Sequence, residues 1–353
     1  MKAVVKTEVG MDHMEYMDIP EPEATGDLVK IKIAYSGICG TDLHAFKGSY
    51  GSTKPPVVLG HEFSGVVTEV GPEVKKIKVG DRVTSETTFK TCGVCPMCLS
   101  KDYNLCGNRQ GLGTQINGSM AEYLVSREES VHVLPENVSL LSASLTEPLA
   151  CGVHAVLEKG DVQPGDVCVV FGAGAIGQMV AQVAKGQGAT VIVAGLTHDA
   201  NRFELAKKAG VDRCVDQMQE DLKEIVMEMT NNVGADKCFE CSGAVPALNK
   251  ALEIVRRKGT VVQMGVFENT HETIWTDLIL HREIVYVGSR SQKPSSWVTA
   301  LKLMEERKVD PGKIIGQLLP LEEWREGFEN MMKGEVTKGV IVLDETLEKS
   351  ELQ

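Results

Sequence analysis

The chain has 353 residues, of which 42% are hydrophobic and 24% charged, and its formal net charge is −12. This length favours two domains over one. The acidic balance disfavours nucleic acid and anionic membranes as partners, because binding phosphate groups needs a surplus of Lys and Arg. The opening residues are too polar for a secretory signal, and no apolar run approaches the ~18–20 residues that span a bilayer. We therefore expect a cytoplasmic protein whose ten cysteines are free or metal-bound rather than disulfide-bonded.

The predicted elements change in character along the chain. Residues 1–155 contain short β-rich segments separated by glycine and proline, which predict a small antiparallel barrel or sandwich. In residues 156–289, apolar strands alternate with helices such as PALNKALEIVRRKG, which predicts a doubly wound parallel sheet of the Rossmann type. Residues 290–353 contain two more helices and a last strand, which we expect to return to the first domain. The predicted fold class is therefore α/β, with a nucleotide-binding domain inserted into a mainly β domain and a ligand cleft between them.

Four side chains with metal-binding chemistry occur at the ends of strand-like segments in the first part of the chain: Cys39, His61, Glu62 and Glu147. Neighbouring glycine or proline residues allow loops that carry such side chains to converge. One thiolate, one imidazole and carboxylates form a mixed set of ligands that leaves a position for water or substrate, as in catalytic zinc sites. Spacing alone is weak support, because a single His or Glu usually belongs to the core or to the surface.

A lobe near residues 88–108 contains Cys92, Cys95, Cys98 and Cys106 in the spacing C-x2-C-x2-C-x7-C. Four thiolates suit tetrahedral Zn²⁺, and a closed set of four sulfur ligands leaves no position for a substrate. We therefore predict a structural zinc site. An iron–sulfur cluster is the alternative, since closely spaced cysteines also bind such clusters.

The segment VVFGAGAIGQ places Gly172, Gly174 and Gly177 between an apolar strand and a helix. In this context the GxGxxG pattern, which includes Ala175 and Ile176, predicts a dinucleotide-binding turn. The pyrophosphate would lie at the helix N-terminus, where free N–H groups favour negative charge.

The second strand of this region ends at Gly195, where an acidic residue that binds the adenosine ribose is expected. Without that carboxylate, nothing at this position repels a 2′-phosphate. Thr197, His198 and Arg202 follow in the next loop, and Arg202 is suited to pair with such a phosphate. The pattern favours NADP over NAD. The alternative is that the loop is only surface, with Asp199 or a backbone group contacting the ribose.

Taken together, four motifs resemble the zinc-dependent medium-chain dehydrogenase/reductase family. They are the CGTD segment at Cys39, the GHE segment around His61, the four-cysteine lobe and the late GAGxIG turn. The resemblance covers nearly the whole chain, and GHEFSG and EPLACGVHA are similar to the sorbitol (polyol) and threonine dehydrogenase branches. It implies a GroES-like catalytic domain around the Rossmann domain. It also implies hydride transfer between a secondary alcohol of a polyol or sugar-derived substrate and NAD(P), giving a ketone.

For the metal centre, the resemblance implies that Cys39, His61 and Glu62 bind a catalytic zinc ion. Glu147 would be a fourth ligand or would hold a zinc-bound water, and Asp42 would orient the His61 ring. With the cysteine lobe, the expected content is two zinc ions per chain.

For the substrate, the resemblance implies that Thr41 contacts the reacting oxygen and that His44 passes its proton to solvent; the alternative for His44 is a locally hydrogen-bonded surface histidine. Phe46, Tyr50 and Arg290 are candidate pocket residues. The GSRSQKPSSW segment lacks the Arg-Tyr pair of mammalian-type sorbitol dehydrogenases, which argues against sorbitol itself. L-threonine 3-dehydrogenase or another secondary-alcohol dehydrogenase is the alternative function.

A protein of another class, a non-catalytic nucleotide-binding sensor or structural protein, is a remote alternative because such proteins usually lose zinc ligands. The resemblance also implies a homo-oligomer, with a tetramer favoured over a dimer. The strands TVVQMGV and IVYVGS are the expected joining region.

Overall fold

A computed structural model describes residues 1–269 and 271–349. The chain divides into two compact units. Unit 1 contains residues 1–147, 293–301 and 315 onward, and unit 2 contains residues 148–292 and 302–314. Among the residues that the structure describes, no helix has the length and apolar character needed to cross a membrane.

Eighteen strands are present in the described ranges. In chain order they are β1 (Lys2–Lys6), β2 (Met14–Asp18), β3 (Leu28–Gly37), β4 (Val57–Val58), β5 (Glu62–Val70), β6 (Arg82–Ser85), β7 (Thr88–Lys90), β8 (Gln110–Gly111), β9 (Tyr123–Arg127), β10 (Val131–Val133), β11 (Val167–Phe171), β12 (Thr190–Gly195), β13 (Arg213–Asp216), β14 (Ala235–Glu240), β15 (Val255–Gln263), β16 (Val285–Gly288), β17 (Gln317–Pro320) and β18 (Gly339–Val342).

The α-helices of the described part are, in chain order, α1 (Gly40–Phe46), α2 (Pro96–Leu99), α3 (Leu140–Ala143), α4 (Thr146–Val153), α5 (Ala175–Gly186), α6 (Ala200–Lys208), α7 (Leu222–Met229), α8 (Val245–Ile254), α9 (Thr276–Arg282), α10 (Pro294–Glu305), α11 (Trp324–Met332) and α12 (Thr346–Lys349). A π-helical segment, His154–Lys159, follows α4 directly.

Unit 1 is mainly β, as the glycine- and proline-broken segments predict. Its largest sheet has the order β10-β6-β5-β3-β18-β17, and β9 also pairs with β3. Strand β3 runs antiparallel to β5, with Gly37 opposite Glu62. It also runs antiparallel to β18, with Gly37 opposite Val340. This register brings the end of β3, just before Cys39, beside residues that are far away in sequence.

Unit 2 contains a six-stranded sheet with the order β13-β12-β11-β14-β15-β16, in which every pairing is parallel. Its strands are buried apolar segments such as VCVVF, in agreement with the doubly wound pattern. One prediction is wrong in detail: the segment PALNKALEIVRRKG is not helical throughout. Helix α8 ends at Ile254 because Val255 already pairs with Ala235 of β14, so β15 begins there.

Candidate active site

Cys39 lies immediately before helix α1, and Asp42 in the first turn of that helix fixes its backbone. The buried Asp42 carboxylate accepts hydrogen bonds from the Cys39 N–H at 2.9 Å and the Gly60 N–H at 3.2 Å. Asp42 Oδ1 also lies 3.7 Å from His61 Nδ1. Burial raises the pKa of Asp42, while the neighbouring His61 and the Cys39 N–H act to lower it. One buried carboxylate therefore joins the two segments that carry Cys39 and His61.

Cys39, His61 and Glu62 come together at the ends of β3 and β5. Each offers one donor atom, and these atoms lie within 4.8 Å of one another. The Nδ1 atom of His61 is buried without a hydrogen-bond partner. An imidazole with one unsatisfied nitrogen, a cysteine sulfur and a carboxylate at this spacing fit a divalent cation such as zinc. These three residues would hold the metal.

The charge around His61 supports this fit. Burial by itself lowers the pKa of His61, but the adjacent Cys39 and Asp42 outweigh burial and raise it well above the usual value. The same negative charge that favours a proton on the imidazole also favours a divalent cation in its place.

Glu62 has a further partner, the buried Lys338. The Lys338 ammonium donates a hydrogen bond to Glu62 Oε1 at 2.8 Å and lies 2.6 Å from Oε2. It also donates to the carbonyl oxygen of Ile38 at 2.8 Å. Burial lowers the pKa of Lys338, but Glu62 and Cys39 raise it above its usual value, so the side chain stays charged.

The other residues predicted for this centre have more separate positions. Glu147 is buried at the start of α4 but is not among the three donors within 4.8 Å. Its charge nevertheless raises the pKa of His61 and of Lys338. Thr41 is half-buried in α1. His44 is exposed in the same helix, with Nδ1 3.2 Å from the hydroxyl of Ser49, so both interpretations of His44 fit its position.

Two of the three predicted pocket residues, Phe46 and Tyr50, lie in unit 1, and the third, Arg290, lies in unit 2. Phe46 is buried in a core cluster of unit 1, where its ring meets Trp324 and Phe328 edge to face at 6.3 and 5.9 Å. This position gives Phe46 a packing role, and its contact with the substrate stays a prediction. Tyr50 packs against the same cluster and is half-buried, while Arg290 is exposed in unit 2.

The four cysteines of the lobe form a second cluster, and their donor atoms also lie within 4.8 Å of one another. Sulfur–sulfur distances are 3.5 Å for Cys95–Cys98, 3.7 Å for Cys92–Cys106 and 3.9 Å for Cys92–Cys98. A tetrahedron of thiolates with Zn–S bonds of about 2.3 Å has edges of about 3.8 Å. Backbone N–H groups of Val94 and Cys95 lower the pKa of Cys92. The Cys98 N–H acts to lower the pKa of Cys95, but burial and the neighbouring cysteines outweigh it and raise that pKa. The lobe therefore fits a structural zinc ion.

The glycine turn of unit 2 has the geometry of a dinucleotide-binding site. Gly172 follows β11 with φ of 97°, and Gly174 is the residue before α5. A Cβ atom on Gly177 would lie 1.9 Å from the Gly172 carbonyl oxygen, whereas one on Gly174 would meet no atom within 4 Å. Ala175 and Ile176 form the first turn of α5. The open side at Gly174 is where a pyrophosphate can approach the backbone.

The loop after β12 contains an acid that is four residues later than the expected position. Asp199 is buried, and its Oδ2 would lie 2.8 Å from a Cβ atom on Gly195. Asp199 accepts hydrogen bonds from the Leu196 N–H at 3.0 Å and from Arg202 at 2.7 Å. His198 is 70% exposed, and the hydroxyl of the neighbouring Thr197 donates to Asp216 at 2.8 Å. Arg202 is therefore already paired within the protein.

Two family models match the chain: the alcohol dehydrogenase GroES-like domain over residues 25–136 and the zinc-binding dehydrogenase domain over residues 175–306. The chain is 50% identical to a D-arabitol-phosphate dehydrogenase of Enterococcus avium, with 97% of each chain covered. The chain belongs to the zinc-dependent medium-chain dehydrogenase/reductase family. It is also 46% identical to a sorbitol dehydrogenase of Halalkalibacterium halodurans, covering 96% of this chain and 98% of the relative.

A solved member of this family has the same fold. The crystal structure of 2R,3R-butanediol dehydrogenase from Bacillus subtilis superimposes with a TM-score of 0.88 at 30% identity, covering 97% of this chain and 99% of the other. The predicted α/β fold class, a Rossmann sheet with a GroES-like, mainly β domain, is confirmed. The prediction that this member of the medium-chain dehydrogenase/reductase family is an oxidoreductase of the alcohol dehydrogenase type is confirmed as well.

The main residue that the sequence analysis missed is Lys338. In the segment TKGVIVLD, Lys338 is a single lysine before an apolar strand, a position at which lysine is usually exposed. The pairing of β18 with β3 is what directs Lys338 inward, and this pairing is not visible in the sequence.

Proposed function

We propose that this chain oxidises a secondary alcohol of a polyol or a polyol phosphate to a ketone, with NAD(P) as the hydride acceptor, and catalyses the reverse reduction. The observation that carries the proposal is the convergence of Cys39, His61 and Glu62 within 4.8 Å. A non-catalytic sensor or structural role is not favoured, because the donors of both predicted zinc sites are retained.

Each residue around the metal centre would have a separate role in the reaction. Zinc held by Cys39, His61 and Glu62 supplies Lewis acidity, which lowers the pKa of an alcohol. The Thr41 hydroxyl would accept the proton of the substrate hydroxyl while it gives up its own proton towards His44, and His44 would release a proton to solvent. The position of Glu147, outside the set of three donors, supports an indirect role through water.

For the substrate class, we favour polyols over L-threonine because the two relatives at 50% and 46% identity are named for arabitol phosphate and sorbitol. The test compares kcat/KM for D-arabitol phosphate, D-arabitol, sorbitol and L-threonine. The reaction is monitored by the absorbance of NAD(P)H. We expect a polyol or its phosphate to exceed L-threonine by at least about tenfold. A preference for L-threonine would overturn the substrate assignment.

We extend the proposal to two zinc ions per chain and to NADP as the preferred cofactor. The absence of a carboxylate on residue 195 itself supports NADP, and the charge of the nearby Asp199 is offset by its ion pair with Arg202. Because Arg202 already pairs with Asp199, its contribution should be modest. The ratio of kcat/KM for NADP to that for NAD tests this preference, and a ratio below one contradicts it.

The assembly and domain division are also proposed. Unit 2 exposes four large apolar side chains in the region of α9 and β16: Val266, Trp275, Leu280 and Val285. Since β16 is an edge strand of the parallel sheet, it is suited to pairing with a second copy, as a tetramer or a dimer in the cytoplasm. The functional domains would be residues 1–155 with 290–353 and residues 156–289, although residues 350–353 lie outside the described part. Light scattering of the purified chain tests the assembly, and a monomer contradicts it.

A further inference from the structure

The ion pair between Lys338 and Glu62 is unusual in its burial. The two side chains are 2% and 1% exposed. For comparison, the pair formed by Lys32 and Asp344 in the same unit is 34% and 19% exposed. A charge is buried at considerable cost unless it is paired, so a buried pair at a metal centre calls for a functional explanation.

Three strands bring Lys338 to Glu62. Lys338 immediately precedes β18, which pairs with β3, and β3 in turn pairs with β5, where Glu62 lies. The ammonium crosses the end of β3 and holds the carbonyl of Ile38, the residue before Cys39. Gly37 leaves the necessary space, because a Cβ atom on it would lie 2.3 Å from Glu62 Oε2. The packing therefore holds the carboxylate against the lysine.

We infer that Lys338 is a positioning residue of the metal centre. Through its hydrogen bond to Oε1 and its ion-pair contact with Oε2 of Glu62, it prevents this carboxylate from chelating the metal and keeps a position free for the substrate oxygen. The inference rests on the proposed function, since it takes Cys39, His61 and Glu62 as the metal donors. It assigns Lys338 no contact with substrate, cofactor or metal.

The local charges determine the direction of the expected effect. Four acidic or thiol side chains lie around the centre, namely Cys39, Asp42, Glu62 and Glu147, and Lys338 is in direct contact with one of them. Removing Lys338 makes the centre more negative and frees the second oxygen of Glu62. Carboxylates bind cations through either one or two oxygens. The cation should therefore be held more tightly, and the second oxygen of Glu62 should occupy the position on the metal that the substrate oxygen needs.

The test uses the zinc-loaded enzyme and its cobalt-substituted form, with Lys338→Met as the main variant. We expect about tenfold slower release of one zinc to a colorimetric chelator and about a tenfold higher KM for the polyol, effects of the size that partners of metal ligands produce. The visible absorption of the cobalt form should weaken, because added ligands reduce the intensity of tetrahedral cobalt spectra. Lys338→Arg should restore all three values. Lys32→Met, the matched control from a half-buried pair away from the metal donors, should change none of them.

Two outcomes overturn the inference: zinc release from Lys338→Met as fast as or faster than from the wild type, or a cobalt spectrum identical to that of the wild type. If Lys338→Met does not fold because Glu62 is left without a cation, Lys338→Gln retains a hydrogen-bond donor and is judged by the same two readouts. A wild-type chain without metal at Cys39 would instead contradict the proposed function.

Discussion

The same added methyl group should affect cofactor binding at one glycine of the dinucleotide turn and protein stability at another. Gly174→Ala should leave the fold intact and weaken cofactor binding, because its Cβ atom would meet no protein atom within 4 Å and would point to where a pyrophosphate approaches. Gly177→Ala should destabilise unit 2, because its Cβ atom would lie 1.9 Å from the carbonyl oxygen of Gly172.

The magnitudes follow from the contacts. Real Cβ atoms do not approach other heavy atoms within 3.0 Å, so helix α5 would have to move by roughly 1 Å to accept Gly177→Ala. Overpacking of this kind costs about 1–3 kcal/mol, and each kcal/mol lowers the Tm of a unit of this size by about 2–4 °C. For Gly174→Ala, alanine is a poorer residue before a helix but also loses less entropy on folding, so the net change in the free energy of unfolding should be within about 0.5 kcal/mol.

The assay pairs thermal unfolding with NADPH binding measured by fluorescence. We expect Gly174→Ala to unfold near the wild-type Tm with a Kd at least about tenfold higher, a loss of about 1.4 kcal/mol. Gly177→Ala should show a clearly lower Tm in the absence of cofactor. Wild-type affinity in Gly174→Ala, or wild-type stability in Gly177→Ala, would refute the reasoning.

Three further predictions concern unit 1. Cys39→Ser should abolish turnover, by at least about 100-fold, while circular dichroism stays that of the wild type; near wild-type turnover would contradict the role of Cys39. Cys98→Ser should lower the zinc content by one ion per chain and lower the Tm, both measurable on one sample, and an unchanged Tm would argue against a structural lobe. Burial raises the pKa of Asp344, but Lys32 and Thr346 outweigh burial and lower it. This carboxylate therefore stabilises the fold above its unfolded pKa of about 4, and the contribution is lost as the pH falls through the lowered pKa. Lys32→Met should lower the free energy of unfolding at pH 7 by about 1 kcal/mol or less. In urea titrations, the free energy of unfolding of this variant should fall less steeply at acid pH than that of the wild type, and a steeper fall would contradict the role of this ion pair.

Much of the fold was predictable because its signals are local. Alternation of apolar strands with helices indicated the parallel sheet, and the position of Gly172 after a buried strand indicated the turn into α5. The four cysteines were also predictable as a group, since they lie close together in the chain and in space.

What the sequence could not show depends on strand register and packing. Lys338 comes into contact with Glu62 only because β18 pairs with β3. Phe46 packs against two aromatic side chains of α11, which lies far along the chain, so this contact could not be predicted from the residues around Phe46. The pairing of Arg202 with Asp199 likewise depends on a loop conformation that composition does not specify.

The central claim is that a zinc ion binds at Cys39, His61 and Glu62 and activates an alcohol there. Anomalous diffraction from crystals of the purified chain, recorded on both sides of the zinc absorption edge, tests it most directly. The account predicts one peak among these three side chains and a second among the four cysteines of the lobe. A single peak at the lobe, with none beside Cys39 and His61, would contradict it.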